Sequence, residues 1–163
     1  MPSAATPATR AEASMPHRFS VSAVIDAPPR RVYGIIADYD DAHARIIPKP
    51  PFVALDVEQG GRGAGTVIRV QVRLLGRVQS YRATVTEPQP GRVLAETNEN
   101  GYVTTFTVEP RAGGRQAHVT IATETHRAGP LGSLETWIMG RLLRGVYLKE
   151  LELLATVAAS HTD

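Results

Sequence analysis

Residues 131–159 read LGSLETWIMGRLLRGVYLKELELLATVAA, and the fold turns on this stretch. Met139, Leu142, Leu143, Val146, Leu153, Leu154 and Val157 recur three and four residues apart, the spacing of one face of an α-helix. Trp137, Ile138, Leu148 and Leu151 widen that face beyond a coiled-coil seam. Gly129, Pro130 and Gly132 break the segment before it, Ser133 is placed to cap the helix, and Glu135 puts negative charge in its first turn. Such a helix needs a large concave apolar partner.

Upstream, the chain reads as a meander of strands. Phe52 to Glu58 leads through Gly60-Gly61-Arg62-Gly63-Ala64-Gly65 into Thr66 to Leu75. There Ile68, Val70, Val72 and Leu74 alternate with Arg69, Gln71 and Arg73, giving an apolar inner face and a basic outer one. Val78 to Glu87, Val93 to Thr97, Tyr102 to Glu109 and Gln116 to Thr125 follow, joined by Gly-, Pro- and Asn-containing turns. Before the meander, Phe19, Val21, Ala23 and Ile25 alternate with more polar neighbours, as in a strand with one buried face. Asp26-Ala27-Pro28-Pro29 then starts a short helix, capped by Asp26 or its neighbour, with Val32, Ile35 and Ile36 as its buried stripe. A second short helix is expected from about Asp40 to Ile46, ending before Pro48. The expected class is α+β: about seven antiparallel strands curved around a long C-terminal helix, with two short helices after the first strand.

At 163 residues the chain is long enough for one domain with a proper core, expected over residues 17–160 after a disordered leader at 1–16. It has no Cys, which excludes thiolate nucleophiles, Cys-ligated zinc and disulfides. The net charge of +2 reflects a near-balance of 18 basic and 16 acidic residues spread along the chain, so no nucleic-acid partner is expected. The leader lacks the apolar core of a signal peptide, and no stretch reaches the ~20 apolar residues of a membrane span. A soluble cytoplasmic protein without metal or cofactor is expected, and nothing in the chain sets its oligomeric state.

The element order resembles the START-like helix-grip superfamily (SRPBCC type), which includes polyketide cyclases and dehydrases and lipid-transfer domains. The resemblance covers about residues 17–159. Its local signs are Val24-Ile25-Asp26-Ala27-Pro28 leading into Val32-Tyr33-Gly34-Ile35-Ile36-Ala37-Asp38, Gly63-Ala64-Gly65-Thr66 opening a strand, and Thr84-Val85-Thr86-Glu87-Pro88 before Pro90-Gly91-Arg92. The aromatic-rich segment of many relatives is here His43-Ala44-Arg45-Ile46-Ile47-Pro48, a departure that falls on one side of the rim. The resemblance implies a cavity between sheet and helix, open near the short helices.

The candidate ligand-binding set is Tyr39, His43, Ile68, Val70, Tyr81, Tyr102, Thr104, Phe106, Ile121, Thr123, Trp137 and Arg141. Tyr81 shares the parity of Ala83 and Val85, and Tyr102 that of Thr104, Phe106 and Val108, so each is either core or a ligand-facing hydroxyl. His43 and His126 fall near element ends, where a cavity opens or plain surface lies; His118 is expected to face solvent. Trp137 and Arg141 are one helical turn apart, and Arg141 either meets a ligand anion or reaches out to water. The Gly60–Gly65 run precedes a strand and not a helix, so it reads as a flexible hairpin and not as a phosphate loop. No histidines have metal-ligand spacing, and no carboxylate pair suited to acid–base work stands out, so no catalytic residue is assigned. Glu96, Thr97 and Asn98 form the stretch whose two faces separate least cleanly.

Three readings follow. The first is binding or transport of a small, mostly apolar molecule such as a lipid, polyketide or isoprenoid-like compound. The second is a cyclase or aromatase acting in the same cavity, with Tyr81, Tyr102, Arg141 and His43 polarising carbonyls. The third is an interaction module using the outward Arg69, Gln71 and Arg73 row.

Overall fold

The computed structural model describes residues 17–125 and 130–160, so the leader, His126 and His161 lie outside the described residues. Strand β1 (His17–Ile25) alternates as expected and pairs with β7 (Gln116–Thr125) in unbroken register from His17↔Thr125 to Ile25↔Ala117. Helix α1 (Pro29–Ala37) starts at a proline, whose missing N–H would have had no helical partner. Asp26 does not cap it. Pro28 holds the N-cap position without a side-chain bond, its carbonyl accepts from the amides of Arg31 and Val32, and Asp26 Oδ1 instead accepts from Gln116 Nε2 at 3.3 Å. The α1 stripe buries Val32, Tyr33, Ile35 and Ile36, and α2 (Ala42–Ile46) follows slightly shorter than expected.

Strands β2 (Phe52–Gln59), β3 (Val67–Leu74), β4 (Arg77–Gln89), β5 (Val93–Asn98) and β6 (Tyr102–Arg111) complete the sheet. The spatial order is β1-β7-β6-β5-β4-β3-β2, every pairing is antiparallel, and β1 and β2 form the two edges. The curved sheet faces α3 (Pro130–Ser160) across a core that includes Ile25, Ile36, Ile68, Leu94, Val119 and Leu154. On the outer face the basic row is partly neutralised, because Glu58 bonds both Arg69 (2.7 Å) and Arg82 (2.6 Å).

The terminal helix differs from its sequence reading in two ways. It begins at Pro130, which puts residue 133 inside the first turn and not at the cap. Its apolar width is also only partly used. Tyr147, Leu151, Leu154, Val157 and Ala158 are buried, whereas Leu134, Trp137, Ile138, Leu142 and Leu148 are 42–62% exposed. A helix apolar on both sides can bury only one of them against a sheet: of the residues that broadened the stripe Trp137, Ile138 and Leu148 point outward and Leu151 is buried, while Leu142 of the original stripe is exposed.

The Gly60–Gly65 segment is not a loose hairpin tip. Gly61 O accepts from the amides of Tyr39 (2.9 Å) and Asp40 (3.2 Å), and Gly63 N donates to Ala37 O (2.9 Å), which fastens the β2–β3 connection to the end of α1. Gly61 has φ +141, and a β-carbon there would overlap the Asp40 carboxylate. Gly61→Ala therefore lowers the free energy of unfolding by about 1–3 kcal/mol, read as a lower urea midpoint; a midpoint equal to the parent's would show that the loop bears no such constraint.

Candidate functional site

Between the inner face of the sheet, α2 and the middle of α3 lies a chamber of about 40 Å³. Its apolar wall includes Ile47, Phe52, Leu55, Ile68, Val70 and Phe106, and its polar wall is His43, Tyr81, Glu96, Thr104, Tyr147 and Glu150. That volume holds water molecules, for each of which ~10–15 Å³ suffices, and is well below the ~300 Å³ at which ligand pockets begin.

The polar wall is assembled from several elements. Glu96 lies directly across the β5–β6 ladder from Thr104, on the inward parity of Leu94 and Phe106. Tyr39, 2% exposed after α1, donates from its hydroxyl to Glu96 Oε1 at 2.5 Å. Its ring stacks on His43 with centroids 4.3 Å apart, and His43 meets Phe106 edge-on at 5.8 Å. A carbonyl only accepts, so the 2.6 Å contact between His43 Nδ1 and Ile36 O makes Nδ1 the donor. In the neutral ring Nε2 is then the basic nitrogen, 3.6 Å from Glu96 Oε1.

Two residues of α3 close the chamber. Tyr147 Oη bonds Thr123 Oγ1 at 2.7 Å, and Thr123 Oγ1 bonds Thr104 Oγ1 at 3.0 Å. Burial pushes the Tyr147 phenol up to about 12 against the opposing effect of these threonines, and burial also raises Tyr39 and Tyr81, both helped by the negative charge of Glu96. Glu150 is 3% exposed, and burial first, then Glu96, holds its carboxyl well above the ordinary 4.5. The chamber therefore combines a carboxyl and phenols whose pKa values are raised by burial with the imidazole of His43, whose Nε2 faces Glu96.

Of the sequence candidates, His43, Ile68, Val70, Tyr81, Thr104 and Phe106 line the chamber together. Tyr39 and Thr123 touch it through Glu96 and Tyr147, and Ile121 is fully buried core beside it. Tyr102 is half-buried at the far end of β6, paired across from Thr125. Trp137 and Arg141 are exposed and belong to a different feature, a groove of about 470 Å³ between α3 and β1. His118 is half-buried with Nδ1 3.5 Å from Glu109 Oε2.

The sequence reading missed Glu96, Tyr147 and Glu150, and with them an ionisable cluster that it had judged absent. The signal that marks Glu150 is its position among Tyr147, Leu151 and Leu154 at helical spacing, which puts a carboxyl on the apolar face of the helix. Among the described residues, no group of three or more His, Asp or Glu could hold a metal ion, and no helix is long and apolar enough to cross a membrane.

A curved antiparallel sheet over a long C-terminal helix, with short helices after the first strand, defines the START-like helix-grip class. Within it, residues 16–159 match the family described as polyketide cyclase/dehydrase and lipid transport, and the chain belongs to that family. The fold is similar to the solution structure of KanY protein, with 26% identity, a TM-score of 0.71 and coverage of 90% of this chain and 98% of that one. It is also similar to the Zhui aromatase/cyclase of Streptomyces sp. R1128 (16% identity, TM-score 0.66, 87% of this chain and 93% of that one). TTHA0849 from Thermus thermophilus is alike as well (16%, 0.68, 90% and 99%). No curated protein matches the sequence.

Proposed function

We propose that the chain binds a small, mostly apolar molecule of lipid, polyketide or isoprenoid type in the chamber between sheet and α3, with an oxygen of the ligand against the polar wall. One observation carries this reading: a chamber with an apolar wall of Ile47, Phe52, Leu55, Ile68, Val70 and Phe106 also holds ionisable groups, including Glu150, whose burial raises its pKa and costs stability. At about 40 Å³ the chamber must expand to admit such a ligand. The first half of α3 permits that expansion. Of its described side chains from Leu134 to Val146 none is fully buried, and Leu143 and Val146 are the ones packed against the core, so this half gives up less packing than Tyr147–Ala158 when it moves.

Native mass spectrometry of freshly purified protein, and melting curves with 2-undecanone, 1-naphthol and farnesol, test the proposal. A co-purifying mass or a rise in melting temperature is expected, with amide shifts at Glu96, Thr104 and Glu150 in NMR spectra. No added mass and no stabilisation, or shifts confined to the neighbourhood of Trp137, would overturn it.

The geometry of His43 favours a second reading, chemistry of the cyclase/dehydrase type. Nε2 can take a proton from a carbon next to a ligand carbonyl, while a Glu150 or Tyr hydroxyl donates a hydrogen bond to the enolate oxygen that forms. In D₂O such a site exchanges the α-protons of bound 2-undecanone. Exchange no faster than in buffer removes this reading and leaves the binding proposal intact.

A further inference from the structure

A second concavity, larger than the chamber, lies elsewhere on the molecule. A groove of about 470 Å³ runs between the free edge of β1 and the first half of α3, above the ~300 Å³ lower range of ligand pockets, and it shares no lining residue with the chamber. Its floor is apolar and aromatic, formed by Phe19, Val21 and the ring of Trp137, which is 62% exposed. Gly140 brings helix and strand close: a β-carbon there would lie 3.2 Å from Phe19 Cγ, tight enough that the ring would have to shift.

The rim is cationic. Arg18, Arg141 and Arg144 all line the groove, and no Asp or Glu does among the described residues. None of the three arginines forms an ion pair with a described carboxylate, in contrast to Arg45, Arg62, Arg69 and Arg82, which all do. Arg141 lies over the Trp137 ring with its guanidinium carbon 5.8 Å from the centroid, which fixes the cation beside the apolar floor.

From these features we infer a second binding site, for an amphiphilic oxyanion: an alkyl or aromatic body that covers Phe19 and Trp137 and ends in a carboxylate or phosphate held by the arginines. Neither half of the site explains the other half away. An apolar floor does not require Arg141 on the Trp137 ring with Arg144 beside it, and a purely electrostatic patch needs no groove lined by tryptophan. Guanidinium forks match both head groups, so the body and the negative charge are the recognised chemistry.

Trp137 is the single tryptophan of the chain, so its emission reports on this groove directly. Titration with monomeric decanoate and with decyl phosphate is expected to shift that emission saturably; decanol at equal concentration shifts it far less. The double variant R141Q/R144Q, altered only at exposed positions, should keep its circular dichroism and melting temperature while binding both anions at least about tenfold more weakly. Preference for one anion over the other by more than tenfold would support the site and assign its head group. Equal responses to decanol and decanoate, or parental affinity in the double variant, would overturn the site. So would an emission shift seen only with phosphatidylglycerol vesicles, which would make this face a membrane-docking surface instead.

Discussion

Phe106→Ala is expected to lower the free energy of unfolding by about 3–5 kcal/mol, among the largest single losses available to this domain. Phe106 is 2% exposed, pairs across from Leu94 and Ile121 in the centre of the sheet, and meets His43 edge-on. Its removal forfeits apolar burial and leaves a void that the neighbouring strands, hydrogen-bonded on both sides, cannot close. The void joins the existing chamber, so the loss is coupled to a gain in binding. The void adds apolar wall to the chamber, against which a benzene-sized guest can pack. Benzene at millimolar concentration should therefore raise the melting temperature of Phe106→Ala by clearly more than it raises that of the parent. Urea unfolding gives the first quantity and thermal melting the second. A loss under about 1 kcal/mol would mean that the sheet relaxes into the space, and an equal benzene effect in both proteins would mean that Phe106 does not bound the chamber.

The sheet and the chamber were legible in the sequence to different degrees, for physical reasons. Ile68, Val70 and Val72 alternate with Arg69 and Arg73 because β3 has one buried and one wet face, and a period of two records that directly. Strand β5 is six residues long and buries Leu94 and Ala95, adjacent residues on opposite faces, so the inward parity of Glu96 was blurred by its own neighbour. On α3 the difficulty was reversed. Helical spacing marked an apolar surface but not which side of it meets the sheet, because Leu142 and Leu143 are both leucines and only the second packs against the core. Tyr147 and Glu150 lay unread within that surface: a charge on an apolar stripe looks like an interruption until the cavity that accommodates it is seen. The neighbour relation of Trp137 and Arg141 was readable from one helical turn of spacing, while their place in a groove against β1 depended on the direction in which α3 crosses the sheet edge.

Replacing that buried acid makes the other large effect. A carboxyl held above its ordinary pKa in the folded chain binds more protons there than in the unfolded chain, so stability falls as pH rises. For Glu150 the contribution is intact below about pH 4.5, the value for the unfolded chain, and declines above it by up to about 1.4 kcal/mol per pH unit until the folded carboxyl itself ionises. Glu150→Gln keeps the shape and a hydrogen-bond donor but cannot ionise. The variant should match the parent near pH 4 and exceed it progressively toward pH 8, with the gap in unfolding free energy widening along that slope. Glu96 is the second cause of the shift after burial, so in a Glu96→Gln background the window over which the gap widens should shorten from its alkaline end. Urea denaturation at half-unit intervals of pH resolves both effects. Parallel stability profiles for Glu150→Gln and the parent would show that Glu150 is not held protonated, and the chamber would then lose the acid on which the carbonyl-binding geometry depends.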